Sequence, residues 1–189
     1  MSVLVLDNYD SFTFNLVHIL RELGVSYEVH RNNKIDIAKV DRFERILFSP
    51  GPGIPSEAGF MPEIIESYIG KKPMLGICLG HQAIAEHLGG KLENMSKVYH
   101  GINTPILQKE TSEIFNGIPE EFEAGRYHSW KVSKQALPDS ISITAEDKEG
   151  DIMAFDVKEM NAFGIQFHPE SVMTPEGNKM VKNFIGVGI

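Results

Sequence analysis

Cys78 sits in Gly76-Ile77-Cys78-Leu79-Gly80-His81-Gln82, where an apolar strand pattern runs through a G-x-C-x-G turn into a helical pattern. This is the cysteine counterpart of a nucleophile elbow. A residue on so tight a turn holds a strained backbone, and small neighbours on both sides let the chain bend. The sulfur then projects above a sheet edge. The N-terminus of the following helix favours a thiolate there. The N–H of Leu79 points where an oxyanion would develop. A lone cysteine is more commonly a buried, inert core residue. The two glycines between strand and helix are what turn the balance toward a nucleophile.

A thiol nucleophile needs a base close in space, not in sequence. Seven histidines are available. His18 and His87 fall inside helical patterns. His30 ends a strand and His81 follows the elbow, and neither has an obvious carboxylate partner. His168 differs, because it lies in Phe167-His168-Pro169-Glu170 at the end of an apolar strand pattern. Pro169 keeps His168 out of the α region. In an extended backbone, residues i and i+2 face one side, so Glu170 can hold the imidazole in one tautomer. By itself His-Pro-Glu reads equally well as a satisfied loop histidine. Beside an elbow cysteine it completes a Cys-His-Glu set suited to acyl transfer.

Ser49-Pro50-Gly51-Pro52-Gly53 is stiffened by its prolines, and its glycines let backbone approach a ligand. It lacks the Lys-Ser/Thr ending of a phosphate loop. Tyr127-His128-Ser129-Trp130 is a polar-aromatic cluster able to read an amino acid's carboxylate and ammonium groups. Taken alone, the first stretch is more simply a connecting turn and the second a strand edge. No His, Cys or carboxylate spacing matches a metal site, so no metal is predicted.

The elements that must position these residues alternate in the first half. Strands are predicted at Val3-Leu6, Tyr27-His30, Arg45-Phe48 and Met74-Ile77. Helical patterns follow at Phe12-Leu23, capped by Asp10 or Ser11, at Met61-Tyr68 and at His81-Leu88. Such alternation implies an α/β fold with a mostly parallel sheet flanked by helices. The second half changes to short strands at Ile102-Gln108, Glu123-Arg126, Ser142-Glu146, Ile152-Asp156 and Ala162-Gln166, with a hairpin turn at Asp147-Gly150. A closing helix spans Asn178-Ile185. This is an added antiparallel region. No linker separates two units, so residues 1–189 are read as a single domain.

Composition bounds the rest. The 189 residues are 42% hydrophobic and carry a formal net charge of -8. Scattered basic residues on an acidic chain argue against nucleic-acid binding. No apolar run approaches a membrane span. The N-terminus reads as a strand, not as a signal peptide. A single cysteine rules out an internal disulfide and suits a reducing cytoplasm.

Taken together, these motifs resemble the class I glutamine amidotransferase family (flavodoxin-like in fold) along essentially the whole chain. The resemblance implies Cys78, His168 and Glu170 as the triad. It implies glutamine contacts at Gly51, Pro52, Gly53, Gln82, Ser129 and Trp130, the last standing where relatives usually carry leucine. Leu6-Asp7-Asn8-Tyr9-Asp10-Ser11-Phe12-Thr13-Phe14-Asn15 is similar to the N-terminus of glutaminase subunits of anthranilate and aminodeoxychorismate synthases. That likeness implies L-glutamine as substrate and a hetero-oligomer with a chorismate-binding synthase subunit. It implies no cofactor on this chain, any Mg belonging to the partner. The alternatives are the glutaminase of another amidotransferase, such as GMP synthase, and a non-catalytic binding module of the same fold.

Overall fold

Continuous apolar runs such as Val3-Leu6 and Met74-Ile77 suit strands buried on both faces. In the computed structural model, which describes residues 1–135 and 137–188, they form the centre of one large sheet. The first half runs β1 (Ser2–Asp7), α1 (Thr13–Glu22), β2 (Ser26–Arg31), β3 (Arg45–Phe48), α2 (Met61–Tyr68), β4 (Met74–Ile77) and α3 (Leu79–His87). The second runs β5 (Leu92–Asn94), β6 (Ile102–Gln108), β7 (Glu121–Arg126), β8 (Trp130–Val132), β9 (Ser142–Asp147), β10 (Ile152–Val157), β11 (Ala162–Ile165) and α4 (Gly177–Gly186).

Nine strands form a sheet in the order β2-β1-β3-β4-β11-β10-β9-β6-β7. From β2 to β11 all neighbours are parallel. From β11 to β7 all are antiparallel. The antiparallel region therefore extends the same sheet, with β11 as the seam. Among the described residues, only β5 and β8 stand apart, as a two-stranded ribbon. Alternation along β1 sorts the two cores. Val3 and Val5 pack with α1 and α4, while Leu4 and Leu6 pack with α2 and α3.

Three boundaries differ informatively from the sequence reading. Helix α3 begins at Leu79, immediately after Cys78, so the elbow passes into helix with no spacer. The N-cap of α1 is Phe12, which has no side-chain cap. Asp10 instead accepts the N–H of Phe12, the cap residue itself, at 2.7 Å. The ribbon strands were not expected, because three residues are too few to show a period.

Parallel strands place their C-terminal ends along one edge, where ligands bind in open α/β sheets. The loops after β1, β3, β4 and β11 therefore converge. Close contact between β4 and α3 depends on Gly76 and Gly80. A Cβ on Gly76 would press on the Gly80 backbone and lie 2.7 Å from His81 N, and one on Gly80 would lie 2.7 Å from Phe48 Cβ.

Two outcomes follow from this packing. Gly76→Ala is expected to destabilise the chain by about 2 kcal/mol, since the neighbours are backbone and cannot yield; chemical denaturation measures this. On β10, burial raises the Asp156 carboxyl to about 7, against the partial relief of a 2.9 Å bond from the Ser112 hydroxyl. A carboxyl raised in the folded state binds protons that the unfolded chain releases, so its stabilising effect is lost as pH rises through 7. Asp156→Asn should therefore raise the melting temperature by a few degrees at pH 8 and by less at pH 5.

Candidate active site

Cys78 occupies the left-handed region, with φ 52° and ψ −97°. Its N–H donates to Ile165 O at 2.8 Å, and its carbonyl accepts the Gln82 N–H at 3.1 Å. Strand pairing before it and helix after it thus fix a backbone that an L-residue rarely adopts. The side chain is buried, with Gln166 Nε2 at 3.6 Å from the sulfur.

His168 reaches Cys78 through sheet register. Ile165 lies opposite Ile77, so the chain leaving β11 passes beside the elbow. The His168 N–H donates to Gly125 O at 3.0 Å, and its carbonyl accepts the Thr174 hydroxyl at 2.7 Å. Its ring lies 4.7 Å from that of Tyr127 and 5.4 Å from that of Phe12. Nδ1–H donates to Glu170 Oε1 at 2.7 Å. The two side chains meet as expected, but across a turn closed by Ser171 N–H to His168 O, and not along an extended strand. Nε2 is buried without a normal hydrogen bond among the described residues, and the neighbouring Cys78 side chain helps hold its proton. Burial opposes a charge here. The Cys78 sulfur beside the ring and the Glu170 carboxylate on Nδ1 outweigh it and raise the imidazolium to about 10.

The remaining predicted contacts converge on the same place. A cavity of about 140 Å³ is bounded by the Gly51-Pro52-Gly53 segment, Cys78, Gln82, Ser129 and Trp130. Leu79 lies outside its wall, with its side chain packed close beside Gly51. Gly51 has no room for a Cβ, which would fall 2.6 Å from Asn8 Cβ. Gln82 Nε2 donates to Trp130 O at 3.0 Å and to Gln166 Oε1 at 3.1 Å. Position 130 therefore meets Gln82 through backbone. A cavity of about 440 Å³ adjoins the smaller one, sharing Gly51, Pro52, Cys78 and Tyr127, with Tyr9, Phe12, His100 and His168 also in its wall.

Several residues of the site escaped the sequence reading. Gln166 precedes His168 by two residues, and that spacing was a usable signal. Asn8 was not singled out for anchoring the glycine loop, yet its N–H donates to Ser49 Oγ at 2.9 Å and its side chain to Ser49 O at 2.8 Å. His30 does have a carboxylate partner, contrary to expectation: Glu28, 2.9 Å away on the edge strand β2. The expectation failed because the partner lies two residues earlier on the same strand face. His81 is fully buried against Phe155, and burial lowers it to about 3, which leaves it neutral.

The folded value of His168 lies above the ordinary value of 6.5. Its contribution to stability is therefore complete below about 6.5 and is lost as pH rises toward about 10. An imidazole NMR titration should find His168 protonated at pH 8. Glu170→Gln should lower its value and flatten the fall in stability between pH 6.5 and 9. A ring already neutral at pH 7 in the unaltered chain would contradict this account.

Among the described residues, no group of three or more His, Cys, Asp and Glu side chains could hold a metal ion. Among the described residues, no helix is long and apolar enough to cross a membrane. Residues 4–187 match the family model described as glutamine amidotransferase class-I. The chain is 43% identical over 185 residues to the aminodeoxychorismate/anthranilate synthase component 2 of Bacillus subtilis, covering 97% of this chain and 95% of that one. It is 41% identical over 189 residues to the bifunctional protein TrpGD of Thermotoga maritima, and there it spans only 32% of the longer protein while 98% of this chain is covered. A solved structure from Thermoplasma acidophilum, assigned as part of a GMP synthase, superposes with a TM-score of 0.89 at 29% identity, covering 98% of this chain and 92% of that one. The chain belongs to the class I glutamine amidotransferase family.

Proposed function

We propose that this chain is the glutaminase subunit of a chorismate-using synthase, hydrolysing L-glutamine and passing the ammonia to its partner. One observation carries the reading. A cysteine held in the left-handed region meets an imidazolium, itself held by a carboxylate, at the wall of a cavity sized for an amino acid.

The Cys78 thiolate attacks the carboxamide carbon of glutamine, and the carbonyl oxygen takes up negative charge. The Leu79 N–H at the start of α3, with backbone of the Gly51-Gly53 loop, stabilises that oxyanion, each donor contributing roughly 3 kcal/mol. His168 gives its proton to the departing nitrogen, the C–N bond breaks, and ammonia leaves a γ-glutamyl thioester. Neutral His168 then takes a proton from water, which attacks the thioester. The C–S bond breaks, glutamate departs, and the thiolate–imidazolium pair is restored. Glu170 keeps the ring oriented throughout. Side chains and backbone amides supply every group needed, so the chain requires no metal or cofactor of its own, and any Mg belongs to the partner.

Ammonia released into bulk water protonates and ceases to be a nucleophile, which calls for a partner covering the wider cavity. Exposed apolar side chains close in sequence to that cavity's lining residues support such a docking face. Val172, two residues beyond Glu170, is 97% exposed, and Phe14, at the start of α1, is 67% exposed. The Bacillus subtilis relative is named for both aminodeoxychorismate and anthranilate synthesis. Both begin with the same glutamine chemistry, so the partner decides the product. A reactive free thiol also suits the reducing cytoplasm.

In the complex, Cys78→Ala should lower glutamine-dependent amination of chorismate at least about 10³-fold. Ammonia-dependent amination should persist. Loss of both activities would overturn the division of labour, and recovery of a GMP-forming partner from native lysate would overturn the choice of synthase.

A further inference from the structure

Trp130 lines the candidate glutamine cavity. In the ribbon, Met95 N–H donates to Ser129 O and Ser133 N–H donates to Lys91 O, both at 2.8 Å. Backbone groups alternate sides along a strand. The N–H and C=O of Trp130 therefore face away from β5, toward Gln82 and the cavity. That carbonyl accepts one bond from Gln82 Nε2 at 3.0 Å and one from His128 Nδ1 at 2.8 Å. Its two lone pairs are both taken by the protein. The Trp130 N–H on the same side is the donor that can meet an occupant.

The proton on His128 Nδ1 is dictated by its neighbour. Arg126 Nε–H donates to His128 Nε2 at 3.1 Å. A guanidinium has no acceptor to offer, so Nε2 must present a lone pair and the ring's single proton must sit on Nδ1. Burial first, and the Arg126 charge second, lower this imidazole to about 4 and keep it neutral. Arg126 is in turn fixed by Asp147 Oδ2 at 2.5 Å, in a pair sealed from solvent. The guanidinium also lies over the Tyr99 ring at 3.6 Å, and that ring stacks on His128 at 5.6 Å. A buried line thus runs from Asp147 through Arg126 and His128 to the Trp130 peptide, reaching the wall of the cavity that Cys78 also lines.

We propose that His128 is a positioning residue for glutamine: held as its Nδ1–H tautomer by Arg126, it fixes the Trp130 peptide so that the N–H meets the substrate's α-carboxylate. The inference rests on the glutaminase reading and adds to it a determinant of glutamine affinity that touches none of the reacting atoms.

The test uses the complex with its synthase partner. His128→Leu removes the donor. His128→Asn restores an amide N–H near the position of Nδ1, and His128→Gln places one near Nε2 instead. Glutamine KM and kcat are measured for each, together with the rate at which iodoacetamide alkylates Cys78 without glutamine. His128→Leu should raise KM about tenfold, as expected for one lost positioning hydrogen bond, with kcat and alkylation rate within about threefold of the unaltered chain. His128→Asn should restore KM to within about threefold. Should His128→Leu not fold, the same contrast is read between Asn and Gln, with Gln the impaired variant. An unchanged KM in His128→Leu would overturn the proposal, as would equal impairment of Asn and Gln or a change confined to kcat. An unaltered complex inert toward glutamine would instead remove the glutaminase reading itself.

Discussion

A left-handed backbone at Cys78 is the constraint on which the rest of the molecule depends. Such a conformation in an L-residue costs on the order of 1–3 kcal/mol, and it persists only when the surroundings over-determine it. Here the N–H of Cys78 is spent on β11 and its carbonyl on the first turn of α3. A relaxed backbone would forfeit both bonds. Gly76 and Gly80 let strand and helix approach closely enough for both to form. The same pairing that strains Cys78 also delivers His168, because β11 lies beside β4 with Ile165 opposite Ile77. A slip of one residue would turn the β11 side chains to the wrong face and dissolve the pair.

Three buried histidines show how neighbours, not burial alone, decide charge. Desolvation disfavours the imidazolium at each. His81 faces Phe155 and stays neutral. His128 faces a guanidinium, which adds repulsion to desolvation and fixes which nitrogen carries the proton. His168 alone has a carboxylate and a sulfur beside it, and alone is raised. A resting imidazolium suits the first half-reaction, which needs a proton for the departing ammonia before it needs a base.

Much of this was legible in the sequence, for reasons that can be named. The elbow is local: its glycines, its strand and its helix all lie between Met74 and His87, so Cys78 was readable with its geometry. Strands β3 and β4 were bounded to the residue because they are continuous apolar runs ended by loops. His168 and Glu170 were readable as a pair, although the turn that joins them was not, since Pro169 fits both an extended and a turned chain. The ribbon that carries Trp130 was invisible because three-residue strands have no period. Arg126 was read only as the end of a strand and His128 only as one member of a polar-aromatic cluster, because their partners, Asp147 and the Trp130 peptide, come from the folding of the second half.

The antiparallel half explains why this sheet is larger than its parallel core. Strand ends of the parallel half supply the nucleophile and the glycine loop, but they form only one wall. The facing wall is the Ser129-Trp130 peptide, carried by the ribbon and buttressed from behind by a buried Arg126–Asp147 pair. Such a pair adds little net stability, because desolvation offsets its attraction, but breaking it leaves a buried charge uncompensated. Its effect here is geometric: it commits one imidazole to one tautomer and so one peptide to one orientation. Cys78 lies in the wall of both the Ser129-Trp130 cavity and the wider one lined by Tyr9, Phe12, His100 and His168. On the proposed reading, an amide held at its amino-acid end by the Ser129-Trp130 peptide can present its leaving nitrogen to the wider of the two cavities.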